Sequence, residues 1–143
     1  MIRRTEYLCV FLTGGIIYGC LEMLWRGFTH WSMVAAGGIC LLLIHLLNHR
    51  LARWNFFIRC VIFSLVITAV EFSVGVVVNI FLGLEVWDYS SVPGNILGQI
   101  CPSFMLLWLV ISVPAILLSC TARGFFLMLA DRESAEEEKI RRT

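Results

Sequence analysis

Residues 57–83 read FIRCVIFSLVITAVEFSVGVVVNIFLG, with only Arg59 and Glu71 bearing charge. As a helix rising 1.5 Å per residue, this stretch is about 40 Å long, more than the ~30 Å of bilayer hydrocarbon. It is too long and too apolar for an ordinary core helix, and this predicts a membrane span.

Three further blocks flank it. Residues 7–25 (YLCVFLTGGIIYGCLEMLW), 32–48 (SMVAAGGICLLLIHLLN) and 100–122 (ICPSFMLLWLVISVPAILLSCTA) each fall within the roughly 17–25 residues of a spanning helix. Of the 143 residues 59% are hydrophobic, against about 45–50% in soluble domains. The chain left over is too short for a soluble domain of normal size. The expected fold is an all-α membrane protein with four transmembrane helices at about 7–25, 32–48, 57–83 and 100–122. They form a single domain over 1–130, followed by a short amphipathic, charged tail over 131–143. No internal repeat or low-complexity tract interrupts this pattern.

Charge sets the expected orientation. With the N-terminus inside, Arg3, Arg4, Arg50, Arg53, Arg59, Arg123, Arg132, Lys139, Arg141 and Arg142 all fall on the cytoplasmic side, and only Arg26 falls outside. That asymmetry predicts cytoplasmic N and C termini and a multi-pass protein of the cell membrane. The first block exceeds a signal-peptide core in length and carries Glu22, so it reads as a retained helix. The six cysteines (9, 20, 40, 60, 101 and 120) lie in or beside the apolar blocks without C-x-x-C spacing and read as small apolar fillers. Cys20 and Cys101 fall toward the same end, which leaves a disulfide between them open.

Inside hydrocarbon, polar side chains turn toward protein or water, so helical spacing shows the inward faces. On the first helix Gly15, Tyr18, Gly19, Glu22 and Arg26 share a side. Gly15 and Gly19 permit close helix packing within the bundle, and Glu22 and Arg26 are spaced to pair. On the third, Ser64, Thr68, Glu71, Gly75 and Asn79 form one narrow stripe. Glu71 lies roughly 21 Å from the inner end at 1.5 Å per residue, near mid-membrane. An ionised carboxylate there costs about 2.5–3.5 kcal/mol, so Glu71 is expected to be protonated, paired or beside water. It reads either as interhelical glue or as a proton, cation or substrate contact. His45 reads as a hydrogen-bonded side chain rather than a metal ligand, and no metal or cofactor site is expected. Pro102 suits a first helical turn, and the interior Pro114 is expected to kink its helix. The chain is expected to divide at Arg123-Gly124 before a solvated helix over 131–142.

Residues 85–104, EVWDYSSVPGNILGQICPSF, join the third and fourth helices. Trp87 and Tyr89 suit a membrane interface, as do Trp25 and Trp31. Pro93-Gly94 signals a turn. It is expected to fold the loop back, bringing Asp88, Asn95 and Gln99 toward Glu22, Arg26 and Asn79. The candidate polar path or interhelical network is therefore Tyr18, Glu22, Arg26, Glu71, Asn79, Asp88, Asn95 and Gln99.

The chain also carries a longer pattern. Gly15, Tyr18 and Glu22 run into WRG (25–27), HWSM (30–33) and GG-x-C (37–40). The pattern resumes with Glu71, Gly75 and Asn79, then WDYS (87–90), Pro93, Asn95 and GQIC (98–101). Together these segments resemble the CmpB-like family of small bacterial membrane proteins catalogued as ABC-transporter type IV permeases. Pro102-Ser103 departs from the pattern, where an apolar residue is expected. The resemblance implies a polytopic helical protein of transport type. No G-x-x-x-x-G-K-[ST] motif occurs, so nucleotide hydrolysis would need a separate ATPase subunit.

The first functional reading is thus a permease-like subunit whose polar interhelical face opens toward the outer loop 85–99. Its ATPase partner would dock on the basic loop 49–56 or on the tail. The alternatives are a non-transporting scaffold or regulatory subunit and a proton-coupled homo-oligomeric carrier. Membrane lipid is an expected partner and nucleic acid is not. With no nucleophile–base pair and no phosphate loop, an enzyme is not expected.

Overall fold

The computed structural model describes residues 2–142. Among them, helix α1 spans Ile2–Arg26, α2 Trp31–Arg50, α3 Phe56–Gly75 and α4 Pro102–Arg142, with a π-helical turn over Val76–Phe81 closing α3. The described residues form no strand, only an isolated bridge between Ile96 and Ile100. All four helices, α3 counted with its π turn, are long and apolar enough to cross a membrane.

Connections of a few residues force antiparallel neighbours. His30 caps α2, its Nδ1 accepting from the Ser32 amide at 3.3 Å, and Asn55 caps α3 by accepting from the Phe57 amide at 2.8 Å. The α1–α2 hairpin is the most extensive helix pairing, and α2 also packs on α3 and α4. Glycine permits the approach of α1 to α2. A Cβ on Gly14 would lie 2.6 Å from the Gly37 carbonyl oxygen, and one on Gly15 2.8 Å from that of Val34. The Gly15/Gly19 pair therefore packs against Val34 inside one chain, as the stripe on α1 predicts.

Two apolar clusters fill the bundle. The larger joins Val10, Leu41, Ile44, Phe63, Ile67, Trp108 and Ile116 across all four helices. The smaller packs Met33 of α2 and Val78 against Val86 and Trp87 of the folded 82–101 connection. The outward faces are apolar too: Ile16, Leu106, Val110 and Leu117 are exposed, as hydrocarbon contact requires.

Three boundaries differ from expectation. α1 begins at Ile2 rather than near residue 7, which takes Glu6 into the helix and buries it. α3 does not stay α-helical to residue 83; beyond Gly75 its turns widen, with Leu82 N–H donating to Val77 C=O at 3.0 Å. α4 runs unbroken from Pro102 to Arg142 instead of dividing at Arg123-Gly124. A glycine costs a helix only about 1 kcal/mol, and the segment beyond it carries an i,i+4 Glu138–Arg142 ion pair and a Ser134 hydroxyl bonded back to the Ala130 carbonyl. Pro102 opens α4, and Pro114 lies inside the helix without ending it. Cys20 is exposed, Cys101 is buried, and both are free thiols.

Candidate functional site

Glu71 is the centre of the polar structure in the half of the bundle next to the 82–101 connection. Its side chain is buried on α3, where the Ser64–Thr68–Glu71 spacing points inward. Trp108 of α4 donates its indole N–H to Oε2 at 2.7 Å, and Tyr89 of the connection donates its hydroxyl to Oε1 at 3.1 Å. An indole can only donate, so Oε2 acts as the acceptor, whereas a phenol can donate or accept. A proton on Oε1 would therefore be accommodated without losing either bond. Burial pushes the Tyr89 phenol up from its ordinary value, which keeps it a neutral hydroxyl. Tyr89 stacks on Phe104 at 4.6 Å, Phe104 lies 6.1 Å from Trp108, and Trp108 lies 6.2 Å from Tyr18. The carboxylate is thus backed by a continuous aromatic wall.

The connection is fastened over this wall by amides. Asn79 projects from the π-helical turn, and its side-chain N–H₂ donates to the Trp87 carbonyl at 3.1 Å and to Gln99 Oε1 at 2.7 Å. Its Oδ1 accepts from the Val86 amide at 2.7 Å, and the Trp87 indole donates to the Gln99 carbonyl at 3.1 Å. Gly75 gives this cluster room, since a Cβ there would sit 2.5 Å from Gln99 Oε1. Gly98 adopts a φ of +68°, and a Cβ on it would lie 2.7 Å from Asp88 Oδ1.

The connection does fold back, and it brings some of the expected residues together but not all. Gln99 meets Asn79. Arg26 bonds Glu22 at 2.5 Å and the Val86 carbonyl at 2.8 Å, joining α1 to the connection, and its guanidinium lies over the Phe28 ring. Thr29 donates to the other Glu22 oxygen at 2.8 Å. Asn95 does not reach them. It stays within its own turn, bonded to the Ser90 and Val92 carbonyls and accepting from the Gly98 amide. Asp88 is exposed, and its Oδ1 accepts from the Ser90 amide at 2.8 Å and the Ser90 hydroxyl at 2.5 Å. Those bonds hold its carboxyl below the usual range.

Between α1, α4 and the connection lies a cavity of about 490 Å³. Its polar lining comes from Tyr18, Glu22, Arg26 and Asp88, and its walls from Trp25, Trp87, Tyr89, Phe104 and Trp108. Of the eight expected network residues it collects four directly; Glu71 stands behind it, held by Tyr89 and Trp108, while Asn79 and Gln99 fasten its roof. A second cavity of about 280 Å³ continues along the α1–α4 seam and shares Tyr18, Leu21, Trp108 and Ile111 with the first. A third, of about 370 Å³, shares Leu41 and Leu118 with the second. Together they form an apolar furrow along α1 and α4.

At the opposite end the sequence pattern missed a second polar cluster. Glu6 and His45 are almost wholly buried, with His45 Nε2 at 3.0 Å from Glu6 Oε1. His45 Nδ1 lies 3.2 Å from Ser119 Oγ, which also accepts from Asn48 at 3.1 Å. Arg59 donates to Asn48 Oδ1, and Arg123 contacts both Glu6 oxygens at 3.3 and 3.4 Å. A neutral His45 fits its two partners by donating from Nε2 to Glu6 and accepting from Ser119 at Nδ1, while the buried Arg59 Nε has no partner among the described residues. His45 is hydrogen-bonded, as expected of it. Glu6 lies just ahead of the first apolar block read from the sequence. The one signal available was an acid between Arg4 and an apolar run.

Among the described residues no group of three or more histidines, cysteines or carboxylates is placed to hold a metal ion. No curated protein and no solved structure matches the chain. The family model described as "Putative ABC-transporter type IV" matches residues 10–129.

Proposed function

As a chain that belongs to the ABC-transporter type IV family, with four membrane-capable helices, this is a transporter-related membrane protein, and we propose that it is the ligand-binding membrane subunit of a transporter. The observation that carries this reading is the 490 Å³ cavity between α1, α4 and the fastened connection, where polar and aromatic side chains converge. The polar face expected to open toward the outer loop is closed by that loop along its Asn79–Gln99 edge. In this reading a ligand would enter along the α1–α4 seam, beside Asp88.

In this reading the chain is not an enzyme, and energy comes from a separate ATPase subunit. On the same reading the side of the bundle where α1 begins and Glu6 meets Arg123, which also carries Arg50, Arg53 and Arg59, faces the cytoplasm, as the positive-inside asymmetry suggests. The last part of α4, 131–142, is exposed along its whole described length. We take this exposed, charged end of α4 as the surface on which an ATPase would dock. Isolation of the full chain in its native lipid, under gentle conditions, is expected to recover an ATPase. Truncation after Ala130 is expected to lose it. Repeated isolation of the intact chain without an ATPase would overturn the subunit assignment.

A non-transporting scaffold is the second reading, favoured by the fastening of the connection through Asn79, Gln99 and Trp87. It predicts that Glu71→Gln and Asp88→Asn leave both partner binding and flux unchanged.

A further inference from the structure

We propose that the α1–α4 cavity binds an amphiphilic organic cation, a substituted ammonium head in the aromatic chamber with its apolar body in the furrow. This rests on the reading of the cavity as a ligand site and names the class of ligand it takes.

The argument starts from which polar atoms in the chamber are already committed. Arg26 is the one cation in the lining, and its guanidinium is used: Glu22 takes one nitrogen, the Val86 carbonyl another, and the Phe28 ring lies 4.9 Å beneath it. Glu22 is likewise used on both oxygens, by Arg26 and Thr29. Asp88 differs. Ser90 occupies only its Oδ1, and Oδ2 has no partner among the described residues. The Tyr18 hydroxyl also makes no hydrogen bond to a described residue, although Tyr18 lies within electrostatic reach of both Glu22 and Glu71. The chamber therefore presents free acceptors and a free negative charge, and no free positive one. Within the lining itself, Glu22 and Asp88 stand against Arg26 alone.

The walls select further. Tyr18, Tyr89, Phe104 and Trp108 form an unbroken run of rings. Aromatic faces attract cations through their quadrupoles, and most strongly where water is excluded. A small inorganic cation would keep its hydration shell and gain little from such walls. An alkylated ammonium has no tightly held shell to lose, and its methyl groups pack on rings. Beyond Tyr18 and Trp108 the furrow is lined by Ile17, Leu21, Ile111 and Leu118, with no charged side chain. That path fits an alkyl or aryl body attached to the head.

The test uses the full chain in nanodiscs of phosphatidylcholine, with empty discs as the reference, and titrates decyltrimethylammonium, decyl sulfonate and tetramethylammonium. Decyltrimethylammonium is expected to bind saturably, tetramethylammonium at least about tenfold more weakly through loss of the furrow, and decyl sulfonate only by partition. Asp88→Asn keeps the Oδ1 acceptor for Ser90 while removing the charge, and is expected to weaken the cation roughly three- to fivefold. Phe104→Leu keeps an apolar filler but removes a ring, and is expected to weaken it about two- to thirtyfold. Saturable binding of the sulfonate with equal or greater affinity would overturn the ligand class while leaving the ligand-site reading intact. So would Asp88→Asn and Phe104→Leu variants that bind the cation as the parent does. Absence of saturable binding by either amphiphile to folded protein would overturn both.

Discussion

Replacing Glu71 separates its hydrogen-bonding role from its charge. In Glu71→Gln, the amide oxygen can take the Trp108 indole and the amide nitrogen can donate to the Tyr89 hydroxyl, which reverses its role. Both partners stay satisfied, so the expected loss is under about 1 kcal/mol. In Glu71→Leu, the volume is nearly kept but two donors lose their acceptor. Side-chain hydrogen bonds in membrane bundles average only about 0.6 kcal/mol each by mutational cycles, which sets a floor near 1 kcal/mol for the pair. A buried donor left without any acceptor costs about 1–3 kcal/mol. Trp108 is buried and pays most of that, while Tyr89 is only partly buried and recovers part from water. The expected loss for Glu71→Leu is therefore about 1–4 kcal/mol. Equilibrium unfolding of parent and both variants in the same mixed micelles measures it, and the ¹⁵N–¹H resonance of the Trp108 indole reports the bond directly. A Leu variant as stable as the parent, or a Gln variant as damaged as the Leu variant, would refute the argument.

Asn79→Ala removes three bonds from the fastened connection, and amide exchange at Val86 is expected to accelerate about ten- to a hundredfold while α2 amides are unchanged. Gly14→Val drives side-chain atoms into the Gly37 carbonyl and should cost at least about 2 kcal/mol, whereas Gly124→Ala, with open space for its Cβ, should be neutral or stabilising by up to ~1 kcal/mol in the same unfolding assay. His45→Ala strips a hydrogen-bond donor from buried Glu6, which keeps Arg123, and is expected to cost about 1–3 kcal/mol, with Glu6→Gln in the same chain restoring part of it. Asp88 is held below its ordinary value of 3.8, so its contribution to the Ser90 turn is complete above that pH and is lost as pH falls through the lower folded value. Chemical shifts of the Ser90 amide should therefore be flat from pH 7 to 5 and move only in stronger acid.

Much of the architecture was legible without coordinates, because a bilayer demands long apolar helices whose polar residues face one another. The four blocks, the inward stripe through Ser64, Thr68 and Glu71, and the Glu22–Arg26 pair all follow from composition and a 3.6-residue period. So does the packing role of Gly15 and Gly19. Helix ends were less legible. Gly124 looked like a stop and Gly75 did not, yet α4 continues through the first and α3 changes pitch after the second. A helix end is set by what surrounds it, and Gly75 adjoins the packed side chains of Gln99 and Trp87 while Gly124 has nothing near it.

The sequence by itself determined which side chains are too polar to face lipid; it did not determine which would meet. Tertiary structure paired Glu71 with Trp108 and Tyr89, which stand 37 and 18 residues away, and linked Glu6 to Arg123 across 117. It kept Asn95 in its own turn and brought Glu6, just ahead of the first apolar block, into the buried end of the bundle. The physical reason is that periodicity acts along one helix, whereas a buried carboxylate is satisfied by whichever donors the packing of separate helices brings within about 3 Å.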